Sequence, residues 1–264
     1  MRHTMVFVGG LHRSGTTLLA SLLGEHPDIS GFEQTGAPEG EGQYLQTVLP
    51  VDEHHGGPGR FAFFPDAHLT EESPLATPEN ARLLRRQWDR YWDLSRPVLL
   101  EKSPPNLLRF RLLQRMFPDA RFVLMMRHPV PVSLSTRSWA PALTPRELVW
   151  HWVHAHDLAF QDIALLRNAL VVRYERLLAD PAETLAEVSA FAGLRSGPPA
   201  ERLALRRLDQ SVNRRYFDRW RTLVGDDPPK RWPGGLEAAV NAHGYSLRPD
   251  ATDGPMLSAS ARSR

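Results

Sequence analysis

Met5-Val6-Phe7-Val8-Gly9-Gly10-Leu11-His12-Arg13-Ser14-Gly15-Thr16-Thr17-Leu18-Leu19 is the stretch whose reading decides the fold. An apolar run opens it. A glycine-bearing loop follows, then two threonines, then leucines at 18, 19, 22 and 23, a helical spacing. Strand, tight loop and helix in that order present free backbone N–H groups to a phosphate at a helix N-terminus. The phosphate loop of nucleotide triphosphatases reads G-x-x-x-x-G-K-[ST]. Gly10 and Gly15 keep that spacing and Thr17 takes the hydroxyl position. Thr16 stands where the lysine belongs, and the cation is Arg13, inside the loop. A cradle without the lysine that grips β- and γ-phosphates argues for a phosphorylated nucleotide other than ATP or GTP.

Working outward, strands are expected over 4–9, 29–32, 97–101, 121–126 and 169–173. Helices are expected over 16–25, 78–93, 107–116, 130–138, 144–168 and 181–192. Thr144 with Glu147 three residues on is a capping box. Asp180 and Gly193 bracket the 181–192 helix. Strands alternating with helices give an α/β fold, a P-loop-like parallel sheet with helices on both faces. The part beyond 195 reads as helical and arginine-rich, with a last short helix at 236–243. Ligands of such sheets sit at the carboxyl ends of the strands. The first loop, Lys102 and Arg127 all fall at expected strand ends, so one crevice collects them.

The chain has 264 residues, 42% hydrophobic and 23% charged, values of a globular domain with a substantial core. The reading is a single domain over 1–248 and a small, polar, disordered tail over 249–264. There is no cysteine, so disulfides, thiolate metal sites and cysteine nucleophiles are excluded together. The formal charge of +2 is too small to imply nucleic acid as a partner. Of 32 cationic side chains only Lys102 and Lys230 are lysines, which draws the eye to Lys102. No leader and no apolar run near the ~20 residues of a membrane helix is seen, and cytoplasmic is the default reading.

The loop wording Gly10 to Thr17 resembles the 5′-phosphosulfate loop of sulfotransferases that use 3′-phosphoadenosine 5′-phosphosulfate (PAPS), above all tyrosylprotein sulfotransferases and bacterial relatives. The resemblance implies that Arg13, Ser14, Gly15, Thr16 and Thr17 bind the cofactor. Arg121 to Pro129, continuing to Ser135, is similar to the family's 3′-phosphate motif, which assigns Arg127 and Ser135, with Ser133 as fallback. A guanidinium fork and a hydroxyl near a helix N-terminus suit a phosphate dianion. Glu101-Lys102-Ser103-Pro104 looks like the strand-end lysine segment of bacterial and carbohydrate sulfotransferases. Lys102, with Arg13, would stabilise the charge that builds on the oxygen bridging to the departing phosphate.

Glu41-Gly42-Gln43-Tyr44 resembles the Glu-x-Gln-Phe segment of heparan N-sulfotransferase domains, whose glutamate is the base. Glu41 is the choice on that ground. Glu33 is its rival, although the tyrosylprotein spacing lands on Gln34, which weakens a tyrosine-sulfation reading. His54, His55 and His128 are unaligned candidates for the histidine base of cytosolic enzymes. Val171 to Leu177 is similar to the family's Tyr-Glu-x-Leu segment, with Tyr174 beside the adenine or in the core. Asn213 to Trp220 looks like the late segment that closes over the nucleotide. There Arg219 matches a cofactor-binding lysine, and Arg214 or Arg215 is an alternative.

The resemblance implies a sulfuryl transfer from PAPS, leaving 3′,5′-adenosine bisphosphate, without a metal. The acceptor expected is a hydroxyl or amine on a small molecule, sugar or lipid. The rivals are a P-loop small-molecule kinase and a non-catalytic phosphonucleotide binder. Phe61, Phe63 and Phe64, in an irregular stretch over 50–77, have two readings: an acceptor lining or pins that hold the loop to the core.

Overall fold

The computed structural model describes residues 3–32, 35–198, 210–224 and 235–248. Among these, five strands form one parallel sheet: β1 (Thr4–Gly9), β2 (Ile29–Ser30), β3 (Val98–Lys102), β4 (Arg121–Met126) and β5 (Ala169–Arg173). Their order is β2-β3-β1-β4-β5. Val8 pairs with Lys102 on one side and Val123 on the other. The first strand is central, and the chain winds away from it in both directions. The gap at the carboxyl end of β1 is therefore the switch point of the sheet.

The period of two in β1 explains why both faces are covered. Met5 and Phe7 point to one face, with Leu99, Phe122, Leu124 and Met126. Val6 and Val8 point to the other, with Leu100, Val123, Met125 and Val172. Helices α2 (Pro78–Trp88), α3 (Phe110–Met116) and α5 (Pro145–Ile163) cover the first face. Helices α1 (Thr16–Leu23), α6 (Tyr174–Ala179) and α7 (Pro181–Phe191) cover the second. The others described are α4 (Pro129–Thr136), α8 (Arg214–Val224) and α9 (Leu236–Ala242). The Phe7 ring packs on Trp88 and Phe122 at 5.8 and 5.9 Å between centroids.

Buried indoles tie this core to the loops above it. Trp88 Nε1 donates to the Gly42 carbonyl at 3.0 Å, and Trp152 Nε1 to the Arg127 carbonyl at 3.0 Å. The expected capping box at Thr144 and the Asp180 cap are both formed. Several elements differ in detail from the reading of the sequence. The helix expected over 107–116 is a 3-10 turn, Pro104–Leu108, broken from α3 at Arg109, because the Asn106 side chain turns inward to Glu101 and Val8. α5 ends at Ile163, where the Leu165 and Leu166 amides bond back to Asp162 and Ile163. α6 has no side-chain cap and follows β5 without a linker, so it carries no start signal in the sequence. The tail from 249, together with Glu33, Gln34, Arg202, Arg206 and Arg207, lies outside the described residues.

Candidate active site

A cavity of about 280 Å³ opens above the carboxyl ends of the central strands. Arg13, Gly15, Thr16, Thr17, Glu41, Arg127 and Tyr174 form much of its wall. The loop after β1 begins it. Gly15 is the N-cap of α1 with φ of 103°, and a Cβ there would stand 2.5 Å from Tyr174 Cδ2. Only glycine lets the tyrosine close over the loop in that left-handed conformation. Side chains cap α2, α4, α5 and α7, whereas among the described residues none caps α1. The first turn of α1, with Thr16 and Thr17 on the cavity wall, thus keeps its amides without a side-chain cap among the described residues.

Arg13 and Arg127 converge from different strands. Arg13 Nε donates to Ser135 Oγ at 2.7 Å, and its guanidinium lies 4.9 Å from the Trp139 ring centre. Arg127 Nη1 donates to the Arg13 carbonyl at 3.0 Å, and its guanidinium sits 4.2 Å from the Tyr174 ring centre. Arg127 Nε donates to Asn213 Oδ1 at 3.1 Å, so a carboxamide oxygen occupies its fork. Burial pulls Arg127 below the ordinary arginine value. Tyr216 also faces these cations. Against the burial that raises it, the Ser135 hydroxyl and Arg215 pull its phenol below the usual value.

Lys102 and Glu41 form a buried pair. Lys102 Nζ donates to Glu41 Oε1 at 3.2 Å and to the Glu39 carbonyl at 2.8 Å. Gln43 Nε2 donates to Glu41 Oε2 at 2.7 Å. Burial raises the Glu41 carboxyl above its usual value, while Lys102 and Gln43 oppose the rise. Beneath the pair lies Glu101, fully buried. It accepts from Ser103 Oγ at 2.6 Å and from Asn106 Nδ2. Ser103 Oγ accepts in turn from the Gln43 amide at 2.9 Å. A Cβ on Gly42 would lie 2.3 Å from Glu101 Oε1, so this glycine lets the segment that carries Glu41 rest on β3.

Two buried carboxyls give the fold a pH dependence. Burial pushes Glu101 up to about 7, and burial followed by the Glu53 charge pushes Asp52 up to about 7. Unfolded, both ionise near the ordinary carboxyl values. Between those values and 7 the folded state holds more protons than the unfolded one. Stability from these groups is therefore full below the unfolded values and falls as pH rises toward 7. Thermal melts from about pH 5 to pH 8 should show a falling midpoint, flattened in Glu101→Gln. A rising midpoint over that range contradicts the assignment.

The expected residues do not all reach the cavity wall. Lys102 and Ser135 stand behind it and act on Glu41 and Arg13. Ser14 is buried, its Oγ without a partner among the described residues. Arg214 and Arg219 are exposed on α8 and do not line the cavity; Arg215 does. Ser133, the fallback for Ser135, points into the interior. His128 is buried against Phe217 and Tyr245, and its Nδ1 accepts from the Val130 amide. His54 and His55 line a separate space of about 610 Å³. Phe61 is 1% exposed and pins its loop, while Phe63 and Phe64, 47% and 42% exposed, border an apolar groove with Trp150. Glu101, Asp52, Asn213 and His12 escaped sequence reasoning. A carboxylate at the end of a buried strand was the readable signal for Glu101; the other three meet their partners only through distant loops. Among the described residues, no helix is long and apolar enough to cross a membrane, and no group of three or more His, Asp or Glu could hold a metal ion.

Comparison with known proteins follows the same geometry. The sulfotransferase family model matches residues 5–198. Protein-tyrosine sulfotransferase 2 of Gallus gallus is 24% identical over 198 residues, 72% of this chain and 51% of that protein. Nodulation protein NoeE of Sinorhizobium fredii is 28% identical over 261 residues, 82% of this chain and 59% of that protein. The chain spans about half to three-fifths of the length of these curated relatives. Among solved structures, the sulfotransferase domain of the Synechococcus PCC 7002 olefin synthase superposes with a TM-score of 0.53 at 19% identity, over 92% of this chain and 94% of that one. The sulfotransferase STF1 of Mycobacterium tuberculosis gives 0.51 at 21% identity, over 82% and 77%. At these identities the likeness is one of fold.

Proposed function

The chain belongs to the sulfotransferase family, and from that premise we propose that it moves a sulfuryl group from PAPS to a hydroxyl or amine of a small molecule, sugar or lipid. The observation that carries the reading is the convergence on one cavity of the uncapped α1 N-terminus, two guanidinium groups and a buried Lys102–Glu41 pair. The loop Gly10 to Thr17 and Arg13 hold the 5′ end. Arg127 and Ser135 hold the 3′-phosphate, which takes the place of Asn213 Oδ1 in the Arg127 fork. Tyr174 and Arg215 flank the nucleotide.

Glu41 takes the proton from the acceptor as the acceptor oxygen or nitrogen bonds to sulfur. The bond from sulfur to the bridging oxygen breaks, and its electron pair stays on the 5′-phosphate. Arg13 and Lys102 stabilise that developing charge. Nothing in the scheme calls for Mg²⁺, which phosphoryl transfer from a nucleoside triphosphate needs.

Titration with 3′,5′-adenosine bisphosphate tests this directly, beside ADP and ATP with and without Mg²⁺. A ligand bound only by the native state stabilises by about 2.7 kcal/mol at a hundredfold excess over Kd. The bisphosphate alone should raise the melting temperature, independent of metal. A shift confined to Mg·ATP supports a small-molecule kinase instead.

A further inference from the structure

Glu101 has no task in that scheme, yet it is a carboxyl only 1% exposed at the end of β3. An apolar side chain would be enough to fill that end of the strand, and a buried carboxyl without donors is costly. Donors do meet it: Ser103 Oγ at 2.6 Å on Oε1, and Asn106 Nδ2 on Oε2. The backbone stays extended through Ser103, with φ of −146° and ψ of 132°, so Glu101 and Ser103 project to the same side of the chain. Ser103 Oγ also accepts from the Gln43 amide at 2.9 Å. A main-chain N–H can only donate, so the single hydroxyl proton of Ser103 is left for Glu101. The remaining polar groups of Gln43 are engaged as well. Its carbonyl accepts from Gln46 Nε2 at 2.9 Å, its Oε1 accepts from the Asp52 amide at 3.0 Å, and its Nε2 donates to Glu41 Oε2 at 2.7 Å. The Asp52 amide is a donor, so Oε1 must face it, and the NH₂ end of the carboxamide is turned to Glu41.

We infer that Glu101 is a positioning residue for Glu41: through the Ser103 hydroxyl it anchors the backbone of Gln43, and so aims the Gln43 carboxamide at the base. The inference rests on reading Glu41 as the base of the transfer. Residues 41–43 lie on the end of β3 residue by residue, Glu41 on Lys102, Gly42 on Glu101 and Gln43 on Ser103. Lys102 holds Glu41 Oε1 and Gln43 holds Oε2, so the carboxylate keeps one orientation. Each oxygen still has a lone pair for the proton of the acceptor. A carboxylate that accepts a well-placed N–H is favoured in its ionised form, the form that takes a proton. Without the Ser103 hydroxyl, the Gln43 amide and Glu101 Oε1 lose the partner they share. Gln43 is then free to turn, and Glu41 loses a donor.

Ser103→Ala cuts the link and Ser103→Thr keeps the hydroxyl. Neither removes Lys102 or Glu39, the other charges at Glu41. The readout is the carboxyl resonance of Glu41 in ¹³C-glutamate NMR of the full chain, followed through a pH titration; Glu41→Gln assigns it by removing it. In Ser103→Ala the Glu41 midpoint should rise by about one pH unit, because a hydrogen bond to a charged group is weakened. In Ser103→Thr it should stay at the wild-type value. The acid limb of the rate, read as release of 3′,5′-adenosine bisphosphate from PAPS, should move with the midpoint. On that limb Ser103→Ala should be about tenfold slower, converging on wild type as pH rises, with the PAPS KM unchanged. A side chain that only packs would lower stability and leave midpoint and limb in place. If Ser103→Ala does not fold, Asn106→Ser takes the other donor from Glu101 and is read in the same way, with a smaller rise. A folded variant with an unmoved Glu41 midpoint overturns the inference and leaves Glu41 as the base. If Glu41→Gln transfers sulfuryl at the wild-type rate, the reading of the base fails and the inference with it.

Discussion

Lys102→Ala is expected to lower kcat by about 10²–10³, with 3′,5′-adenosine bisphosphate bound almost as tightly as before. In the proposed mechanism the side chain has two effects. It supplies a point charge at the end of β3, beside the wall where the leaving oxygen would develop its charge. It also opposes the burial that raises the Glu41 carboxyl. Removing it therefore costs a cation and drives the base toward its protonated form. The loss should be largest at neutral pH and partly recovered in more alkaline buffer, as Glu41 ionises. Breaking a buried pair by removing one partner also destabilises, by about 3–5 kcal/mol, so the folded fraction is checked by circular dichroism. Lys102→Arg separates charge from shape, because a planar fork does not replace an ammonium point charge between Glu41 and the Glu39 carbonyl. Unchanged kcat in the alanine variant removes Lys102 from the mechanism.

Glu41→Gln should cost about 10²–10⁴ in kcat. The carboxamide keeps the volume and a contact with Lys102 but accepts no proton from the acceptor. The wild-type rate should fall as pH drops through the raised Glu41 value, because only the ionised carboxylate is a base. That acid limb should vanish in the variant, leaving a low, flat profile. Retention of the limb would point to another group. Gln43→Ala offers a milder comparison, since it removes one hydrogen bond to Glu41 and leaves Lys102 in place.

How much of this was legible in the chain depends on distance along it. The loop Gly10 to Thr17 was readable because strand, glycines and helix start are contiguous. Arg127 and Ser135 were readable as a strand end followed by two turns of helix. Glu41 and Lys102 were each found separately, 61 residues apart. That they touch was not readable. Among the histidines that are unaligned candidate bases, nearness in sequence does not give nearness to the cavity. His128 follows the key arginine in sequence, yet its ring turns into the core, and burial pushes it down to about 3. His12 sits inside the quoted loop, yet Asp52, 3.3 Å from its Nε2, arrives from an irregular segment. Phe61, Phe63 and Phe64 are near neighbours in sequence and divide between core and surface, which a tight 3-10 turn decides.

The amino-acid sequence by itself determined the parallel sheet, the strand, loop and helix from Met5 to Leu19, and the strand ends that carry the cations. Those features come from period-two burial, helix caps and glycine geometry, forces that act within a few residues. The tertiary structure alone decided which charges meet: Lys102 with Glu41, Arg127 with Asn213, His12 with Asp52, and Glu101 beneath Gly42. Each of these pairs closes a loop of about forty residues or more, and none has a local hydrogen bond that would hold it in isolation. Packing of the β3 end and the indoles of Trp88 and Trp152 brings their backbones together. Burial then makes the charges matter, because a carboxylate removed from water must find a cation, a donor or a proton.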